Sequence, residues 1–320
     1  DIRGGEFMYR PEIKVLDCTI RDGGLMNNWR FDKAMVKDVF AGLAEAGMDY
    51  IELGYRADKK QFSTDDFGPW RFCDEEDLRE VAFECDSKVA VMADVGRTDF
   101  NDVIPSDQSL IHLYRVATYV KDMAKAVELA SHCKEQGYEV SINIMAISHA
   151  LEHDLDKALE DLAGTNFDMV YLVDSFGYLQ PSQIEYMAHK YLAKLPGKQI
   201  GIHCHNNQQL AFANTLEAAV KGITCLDGSI YGIGRAAGNC PLELIIGFLK
   251  NPKFDVRPIL DLIQNYLIPL KQELRWGYEV PYVITGVLNK HPRAAMALMN
   301  NGDSETFRDF YNELSNVDDI

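Results

Sequence analysis

Residues 199–229 read QIGIHCHNNQQLAFANTLEAAVKGITCLDGS, and this stretch indicates the fold class. It begins with a β-rich run, continues through a helical pattern and ends in a second β-rich run. Two strands joined by a helix in this order pair in parallel as a βαβ unit. The stretch therefore predicts an α/β protein.

The same unit recurs along most of the chain. Successive β-rich runs are spaced 22 to 39 residues apart, which leaves room for one helix between neighbouring strands. Eight such units favour a closed (β/α)8 TIM barrel, with an open doubly wound sheet as the alternative. The eight runs begin at Lys14, Asp49, Lys88, Leu110, Tyr138, Met169, Gln199 and Ile223.

The strand signal stops after about residue 251, and helical patterns follow at 259–275, 293–300 and 304–314. We therefore expect residues 8–250 to form the barrel and residues 251–320 to form a C-terminal helical extension that caps it. Residues 1–7 precede Met8 and have the look of an expression-vector remnant, so they are left out of the predicted fold.

Composition narrows the class of partner. The 320 residues include 32 Lys and Arg against 49 Asp and Glu, a net charge of −17. Such a chain repels phosphate backbones and anionic lipid, so we expect neither a nucleic-acid nor a membrane partner. No apolar run is long enough to span a membrane and no signal-peptide pattern opens the chain, so a cytoplasmic location is expected. The seven Cys residues contain no CxxC pair and are expected to be reduced.

The triplet His203-Cys204-His205 lies at the end of the seventh predicted strand. Strand side chains alternate, so both imidazoles face one side and Cys204 faces the other. Two imidazoles on one face could share a metal ion, although an HxH triplet also occurs in strands without a ligand.

A carboxylate is available beside this pair. Asp22 ends the first predicted strand in TIRDGG, and a barrel brings strands one and seven to the same mouth. An Asp–His–His set suits Mn²⁺, with Mg²⁺, Co²⁺ or Zn²⁺ as alternatives, and lacks the Cys ligands of many structural zinc sites. Arg21 is predicted to point inward from the same strand. It could hydrogen-bond a developing enolate oxygen, or simply form a salt bridge.

The loop GIGRAAGN, residues 232–239, follows the eighth predicted strand. A glycine-rich loop can be only a turn, but Asn239 could supply a fourth metal ligand or hydrogen-bond one of the others. Other polar residues near strand ends have simpler interpretations. Asp94, Asn143 and Asp227 are interpreted as helix caps, and Arg56, Arg97 and Arg115 as either anion-binding or ordinary ion-pair residues.

Taken together, TIRDGG, HCHNNQQLAFAN and GIGRAAGN resemble the DRE-type TIM-barrel metallolyase superfamily, over residues 14–248. That superfamily includes 3-hydroxy-3-methylglutaryl-CoA lyase, isopropylmalate and homocitrate synthases, and 4-hydroxy-2-oxovalerate aldolase. The resemblance implies a divalent metal and an enolate intermediate. It implies metal ligands at Asp22, His203, His205 and Asn239, enolate stabilisation by Arg21, and support from Glu52 and Asp174.

Within the superfamily the aldolase branch is most similar, through RDGGLMNNWRF and LNKHPRAAM. The chain departs from that branch at Leu25, where the aldolases have a histidine that moves the substrate hydroxyl proton. Leucine cannot transfer a proton, so another group must act. The predicted replacements are Tyr282 and His291 in the tail, with Asn27, Asn28 or a metal-bound water as alternatives.

The sequence thus predicts a divalent-metal-dependent carbon–carbon lyase or aldolase. It would act through a metal-bound enolate of pyruvate, or of another 2-oxo acid, with an aldehyde as partner. One alternative is an acyl-CoA-dependent Claisen-type transferase, similar to isopropylmalate synthase or HMG-CoA lyase. Another is a barrel that binds metal and ligand without catalysis.

Apolar positions of the tail could also support a homodimer, or could pack on the chain's own barrel. These positions are Ile259, Leu262, Ile263 and Leu267.

Overall fold

The computed structural model describes residues 9–301 and 306–316. Its strands form a closed parallel barrel in chain order, and β1 pairs with both β2 and β8. This closure confirms the (β/α)8 barrel, and the open-sheet alternative is wrong because an open sheet would leave its first or last strand with a free edge. The strands are β1 Lys14–Asp17, β2 Tyr50–Tyr55, β3 Lys88–Asp94, β4 Ile111–Thr118, β5 Glu139–Ile144, β6 Met169–Asp174, β7 Gln199–Cys204 and β8 Cys225–Gly228.

Helices follow the strands and continue beyond the barrel. In the described ranges, none of them is both long and apolar enough to cross a membrane. A π-helical turn, Ile263–Leu267, joins the ninth helix to the tenth. The helices are α1 Thr19–Asn27, α2 Lys33–Glu45, α3 Glu75–Val81, α4 Met123–Glu135, α5 Glu152–Ala163, α6 Pro181–Lys194, α7 Ala211–Val220, α8 Leu242–Phe248, α9 Arg257–Leu262, α10 Ile268–Leu270, α11 Val280–Val287, α12 Arg293–Asn301 and α13 Phe307–Ser315.

The strands are buried on both faces. One cluster fills the barrel interior and includes Leu16, Leu113 and Tyr171. A larger cluster lies between the strands and the ring of helices, where Val36 and Leu43 of α2 pack. Burial on both faces explains why the strands are nearly continuous apolar runs.

The first strand is shorter than predicted. It ends at Asp17, and TIRDGG forms the start of α1. The Asp17 carboxylate accepts hydrogen bonds from the backbone N–H and the hydroxyl of Thr19, which turns the chain into the helix. The prediction that Arg21 and Asp22 lie on a strand is therefore wrong. Both reach the barrel mouth from the first turns of a helix.

The tail is helical, but its helices differ from the predicted ones. Helix α9 and its continuation end at Leu270 rather than Arg275, and α11 was not predicted. The α11 sequence VPYVITGV is rich in β-branched residues, and their low helix propensity explains why this helix was not predicted. Its Tyr282 and Ile284 pack with Ala236 of the loop after β8, so the tail covers that loop.

Three of the four apolar tail positions considered for a dimer are buried within the chain. Ile259, Leu262 and Leu267 are at most 6 % exposed. Leu262 lies directly against Gly42 of α2, so these residues pack on their own barrel. The homodimer and the division at residue 250 stay predictions, and the predicted remnant at 1–7 lies outside the described residues.

Candidate metal centre

Three side chains that can bind a metal meet at the carboxyl end of the barrel. Asp22 lies in α1, His203 near the end of β7 and His205 just after it. One ligand atom of each lies within 4.8 Å of the other two. His205 Nε2 is 4.0 Å from Asp22 Oδ2. The fold thus brings together the three residues that the sequence predicted as metal ligands.

Each imidazole is oriented by an acceptor on its Nδ1 side. His203 Nδ1 lies 3.0 Å from Asp227 Oδ2, and His205 Nδ1 lies 3.3 Å from the carbonyl oxygen of Gly238. A hydrogen on Nδ1 satisfies these acceptors and leaves Nε2 with a free lone pair, as in many histidine metal sites. Cys204 packs in the outer core, as the strand alternation predicted.

Asn239 completes the group from the loop after β8. Its Nδ2 donates to Asp22 Oδ2 and to the carbonyl oxygen of Ile233, which fixes the amide orientation. Within the described part of the chain, Asn239 Oδ1 is buried and makes no hydrogen bond, and Asp22 Oδ1 is buried with only an ion pair to Arg21 Nη1 at 3.2 Å. Buried oxygens without a donor are costly unless a cation satisfies them. Two imidazole nitrogens and these two oxygens therefore fit a divalent ion.

The loop can approach this closely because residue 234 is glycine. A Cβ built on Gly234 would lie 2.3 Å from Asn239 Nδ2 and 2.9 Å from Asp22 Oδ2. Distances this short cannot be accommodated without moving one of the two side chains. The glycine is thus a requirement of the site and more than a turn residue.

The charge states also suit a metal. Burial alone would raise the pKa of Asp22, but nearby positive charge, chiefly that of Arg21, outweighs it and holds this pKa well below its usual range. Burial lowers the pKa of His205 to about 3. At neutral pH the group therefore holds a carboxylate and a neutral imidazole, the forms that bind metal.

A series of buried ion pairs inside the barrel holds the candidate metal ligands in position. Arg21 Nε and Arg115 Nη1 each lie 2.8 Å from Glu52 Oε2. Arg115 Nη2 lies 2.6 Å from Asp227 Oδ2, the same oxygen that holds His203. Arg115 is thus an internal ion-pair residue and Asp227 a histidine anchor, so interpreting Asp227 as a helix cap was wrong. A charged residue inside an apolar strand run was the signal for both.

Glu52 and Asp174, which the resemblance implies as supports of the site, act differently. Glu52 is fully buried and fixes the Arg21 guanidinium beside Asp22, where Arg21 Nη1 is 3.2 Å from Asp22 Oδ1. Asp174 instead accepts the backbone N–H groups of Tyr178 and Leu179 and organises the turn after β6. Burial raises the pKa of Asp174 to about 6. Asp174 is not among the residues that line the cavity above the candidate metal ligands.

A cavity opens above the candidate ligands. Arg21, Asp22, His203 and His205 form part of its wall. The remaining wall includes Leu25, Tyr55, Tyr119, Ser175, Phe176, Arg235 and His291.

Of the two tail residues predicted as proton carriers, His291 lines this cavity and Tyr282 does not. Tyr282 is 5 % exposed and packs on the loop after β8. Sequence reasoning missed Arg235 as a cavity residue, although its place between the loop glycines was visible in the sequence. A large charged side chain in a glycine-rich loop was the available signal.

Comparison with known proteins extends these observations. The HMGL-like family model matches residues 12–266. A 4-hydroxy-2-oxovalerate aldolase of Pelotomaculum thermopropionicum is 32% identical over 267 residues, which cover 83% of this chain and 78% of the relative. An oxaloacetate decarboxylase of Mycobacterium tuberculosis is 31% identical over 243 residues, which cover 74% of this chain and 69% of the relative.

Among solved structures, the N-terminal domain of a candidate aldolase from Bacteroides vulgatus superposes with a TM-score of 0.82. It is 27% identical in sequence, and the match covers 94% of this chain and 100% of that one. The barrel and its tail thus recur together in a second chain.

Proposed function

Because the chain belongs to the HMGL-like family, we propose that it is a divalent-metal-dependent aldolase or lyase. It makes or breaks a carbon–carbon bond through the enolate of pyruvate, or of another 2-oxo acid, with an aldehyde as partner. The observation that carries the proposal is the group of Asp22, His203 and His205 lying beside Arg21 on the wall of one cavity.

Asp22, His203 and His205 would hold the ion, with Asn239 Oδ1 as the fourth ligand. Mn²⁺ is the ion that we assign, with Mg²⁺, Co²⁺ and Zn²⁺ as alternatives for metal analysis to separate. A divalent ion bound there supplies Lewis-acid chemistry, which lowers the cost of removing a proton next to the keto group of a 2-oxo acid.

Arg21 is proposed to stabilise the enolate. Its Nε is held by Glu52, so its other N–H groups have a fixed direction near Asp22 at the cavity wall. A guanidinium that is positioned before the reaction stabilises developing negative charge without having to reorganise. Glu52 is thus proposed as the residue that positions Arg21, and Asp174 as the residue that holds the neighbouring turn.

His291 is proposed to act on the aldehyde in place of the histidine that is missing at Leu25. Burial and the charges of Arg235 and Arg293 lower the pKa of His291 to about 4, so its imidazole is neutral at pH 7 and carries one hydrogen. Its Nδ1 accepts the backbone N–H of Arg293 at 3.1 Å, which places that hydrogen on Nε2. A neutral imidazole can then donate to the oxygen on which negative charge develops.

In the condensation direction, the enolate carbon forms a bond with the carbonyl carbon of the aldehyde. The enolate C=C π pair forms this bond while the enolate C–O bond becomes the keto C=O again. The aldehyde π bond breaks, its electron pair passes to oxygen, and that oxygen takes a proton from water. The hydroxide left behind is neutralised by the methyl proton that water took up when the enolate formed. Cleavage is the same sequence in reverse. Tyr282, predicted as an alternative proton carrier, is instead proposed to anchor α11, since its carbonyl oxygen accepts from Asn207 Nδ2 at 3.3 Å.

The test is proton NMR of pyruvate after incubation in D₂O with protein that is loaded with Mn²⁺ or stripped of metal. Each sample is quenched and chelated before its spectrum is recorded, because free Mn²⁺ would broaden the methyl signal. We expect the methyl signal to disappear only with metal, and to persist with Asp22→Asn. Asp161→Asn, which changes a carboxylate on the surface of α5, is the matched control and should exchange at the wild-type rate. Persistence of the signal with loaded wild-type protein, with and without candidate aldehydes, would refute pyruvate enolisation.

We do not propose an acyl-CoA-dependent transferase, because the relatives at 31–32% identity are an aldolase and a decarboxylase. Parallel exchange of the acetyl-CoA methyl group would reopen that alternative. Any metal-dependent turnover would exclude the non-catalytic barrel.

A further inference from the structure

Arg235 stands on the cavity wall with an unusual set of partners. Its Nη1 lies 3.2 Å from His291 Nε2, and its Nη2 donates to the carbonyl oxygen of Ser175, also at 3.2 Å. Its Nε is buried and makes no hydrogen bond with the described residues. No carboxylate of the described ranges lies within ion-pair distance of this guanidinium.

The neighbouring arginines are neutralised. Arg21 has ion pairs with Asp22 and Glu52, and Arg115 has ion pairs with Glu52 and Asp227. A partly buried guanidinium without a counter-ion is costly, and proteins normally pair such groups. Arg235 therefore presents to the cavity a positive charge that has no ion-pair partner in the described chain, although the charge of Asp22 acts on it from beyond ion-pair distance.

The contact between Arg235 and His291 leaves the hydrogen-bonding capacity of both side chains unsatisfied. Both ring nitrogens of His291 face N–H donors, Nε2 facing Arg235 and Nδ1 facing the backbone of Arg293. A histidine side chain carries at least one N–H, so it cannot accept at both nitrogens. With Nδ1 accepting from Arg293, the Nε2 hydrogen and an Arg235 N–H point at the same place. Two donors this close to each other are satisfied together only by an acceptor group that lies in front of both, on the cavity side.

We propose that Arg235 and His291 form a subsite for an acceptor that carries a carboxylate next to its reacting carbonyl. This inference rests on the proposed function and names the substrate class for it. The carboxylate binds the Arg235 guanidinium, and the carbonyl oxygen faces His291 Nε2. The two donors are only 3.2 Å apart, a spacing that a carboxylate oxygen and a carbonyl oxygen on adjacent carbons match, as in glyoxylate or a 2-oxo acid.

The chemical step is the same aldol condensation, with glyoxylate in place of a neutral aldehyde. The enolate carbon bonds to the aldehyde carbon, and the carboxylate stays bound and unchanged. The matched comparison is 2-methylpropanal, a neutral aldehyde with the same branched shape as glyoxylate. A charge-assisted hydrogen bond predicts a preference of about 10- to 100-fold in kcat/KM for glyoxylate over 2-methylpropanal.

The variant that tests this is Arg235→Met, with Arg235→Lys to retain the charge. Arg235→Met should lower the ratio of kcat/KM for glyoxylate to that for 2-methylpropanal by about 10- to 100-fold, while Arg235→Lys recovers part of the preference. The ratio is the readout because any effect of the variant on His291 acts on both aldehydes. Arg97→Met is the matched control, because the Arg97 side chain is 60% exposed. Equal loss for both aldehydes, or wild-type protein without a preference, would overturn the proposal.

Pyruvate methyl exchange separates this inference from the proposed function. Exchange should be the same in wild type and Arg235→Met, since Arg235 serves the second substrate. Loss of exchange in Arg235→Met alone would place the residue in the pyruvate site and overturn the assignment. Absence of exchange in wild type, with and without candidate aldehydes, refutes pyruvate enolisation and leaves the acceptor subsite to a binding test.

That test measures thermal unfolding of metal-free protein with glycolate, which has the carboxylate and the neighbouring oxygen but does not react. A ligand at 10 to 100 times its Kd should raise Tm of wild type by roughly 2–4 °C. Arg235→Met should lose this rise and Arg97→Met should keep it. An equal rise in both variants, or a larger rise with inorganic phosphate than with glycolate, would overturn the carboxylate assignment.

Discussion

His203 Nδ1 and Asp227 Oδ2 lie 3.0 Å apart across the neighbouring strands β7 and β8. The same carboxylate oxygen receives Arg115, so one atom links a candidate metal ligand to the ion pairs inside the barrel. Burial would raise the pKa of Asp227, but Arg115 and His203 together lower it. The carboxylate therefore remains charged and holds the imidazole with Nε2 free.

Replacing Asp227 by Asn should weaken metal binding without removing a proposed ligand. The amide holds His203 less firmly, and loss of such a partner typically costs about 10- to 100-fold in metal affinity. Competition between the protein and a chelator for Mn²⁺ measures this affinity directly. Asp161→Asn, on the surface, should bind Mn²⁺ as wild type does. Unchanged affinity in Asp227→Asn would show that His203 needs no anchor.

Gly234→Ala should also lower metal affinity, by displacing Asn239 or Asp22. The added Cβ would lie within 3 Å of polar atoms of both residues. We expect at least a 10-fold loss of Mn²⁺ affinity, as is typical when a residue that holds a metal ligand in place is changed. Gly247→Ala is the matched control, because a Cβ there meets nothing within 4 Å. That variant should keep wild-type affinity and gain about 0.5–1 kcal/mol of stability, since Gly247 lies in α8.

His291→Ala should slow carbon–carbon bond formation by about 100-fold while pyruvate methyl exchange continues. The physical reason is that the imidazole acts on the aldehyde oxygen and not on pyruvate. Adding Leu25→His should restore part of the lost rate, because Leu25 faces the same cavity. His189→Ala, an exposed position on α6, is the control. A parallel fall in exchange and condensation would instead assign His291 to the pyruvate half of the reaction.

Asp17 should make stability depend on pH. Burial raises its pKa from 3.8 to about 7. Because the folded state binds this proton more tightly than the unfolded state, the stabilisation is complete below about pH 4 and is lost as the pH rises to 7. Asp17→Asn can still accept from Thr19 but does not titrate.

Urea unfolding of wild type and Asp17→Asn between pH 4 and 7.5 measures the effect. The stability of wild type relative to the variant should fall by on the order of 4 kcal/mol over this range. Parallel curves for the two proteins would mean that Asp17 keeps an ordinary pKa in the folded state.

Much of the architecture follows from local patterns in the sequence. Eight β-rich runs with helical patterns between them predicted the barrel, because apolar runs and helical periodicity are properties of neighbouring residues. The alternation along β7 likewise predicted that His203 and His205 share a face while Cys204 packs outside. The motifs that resemble the metallolyase superfamily pointed to the same residues.

Local patterns were less informative where the chain changes direction. TIRDGG has the β-branched residues of a strand, yet the Asp17 carboxylate turns it into a helix. Helix α11 was hidden by its β-branched residues, and its stability comes from packing on the loop after β8. In both segments tertiary contacts outweigh propensity, which contributes less than 1 kcal/mol per residue for most residue types.

The sequence by itself therefore determined the repeating βαβ units and the shared face of His203 and His205. Only the tertiary structure decided which groups meet above them. Asn239 reaches Asp22 across 217 residues of chain, and Arg235 reaches His291 across 56. Such contacts depend on barrel closure and on the packing of the tail, which place distant side chains within hydrogen-bond distance. Local periodicity carries no information about these distances, so the pairing of Asp227 with His203 and the missing ion-pair partner of Arg235 became visible only in three dimensions.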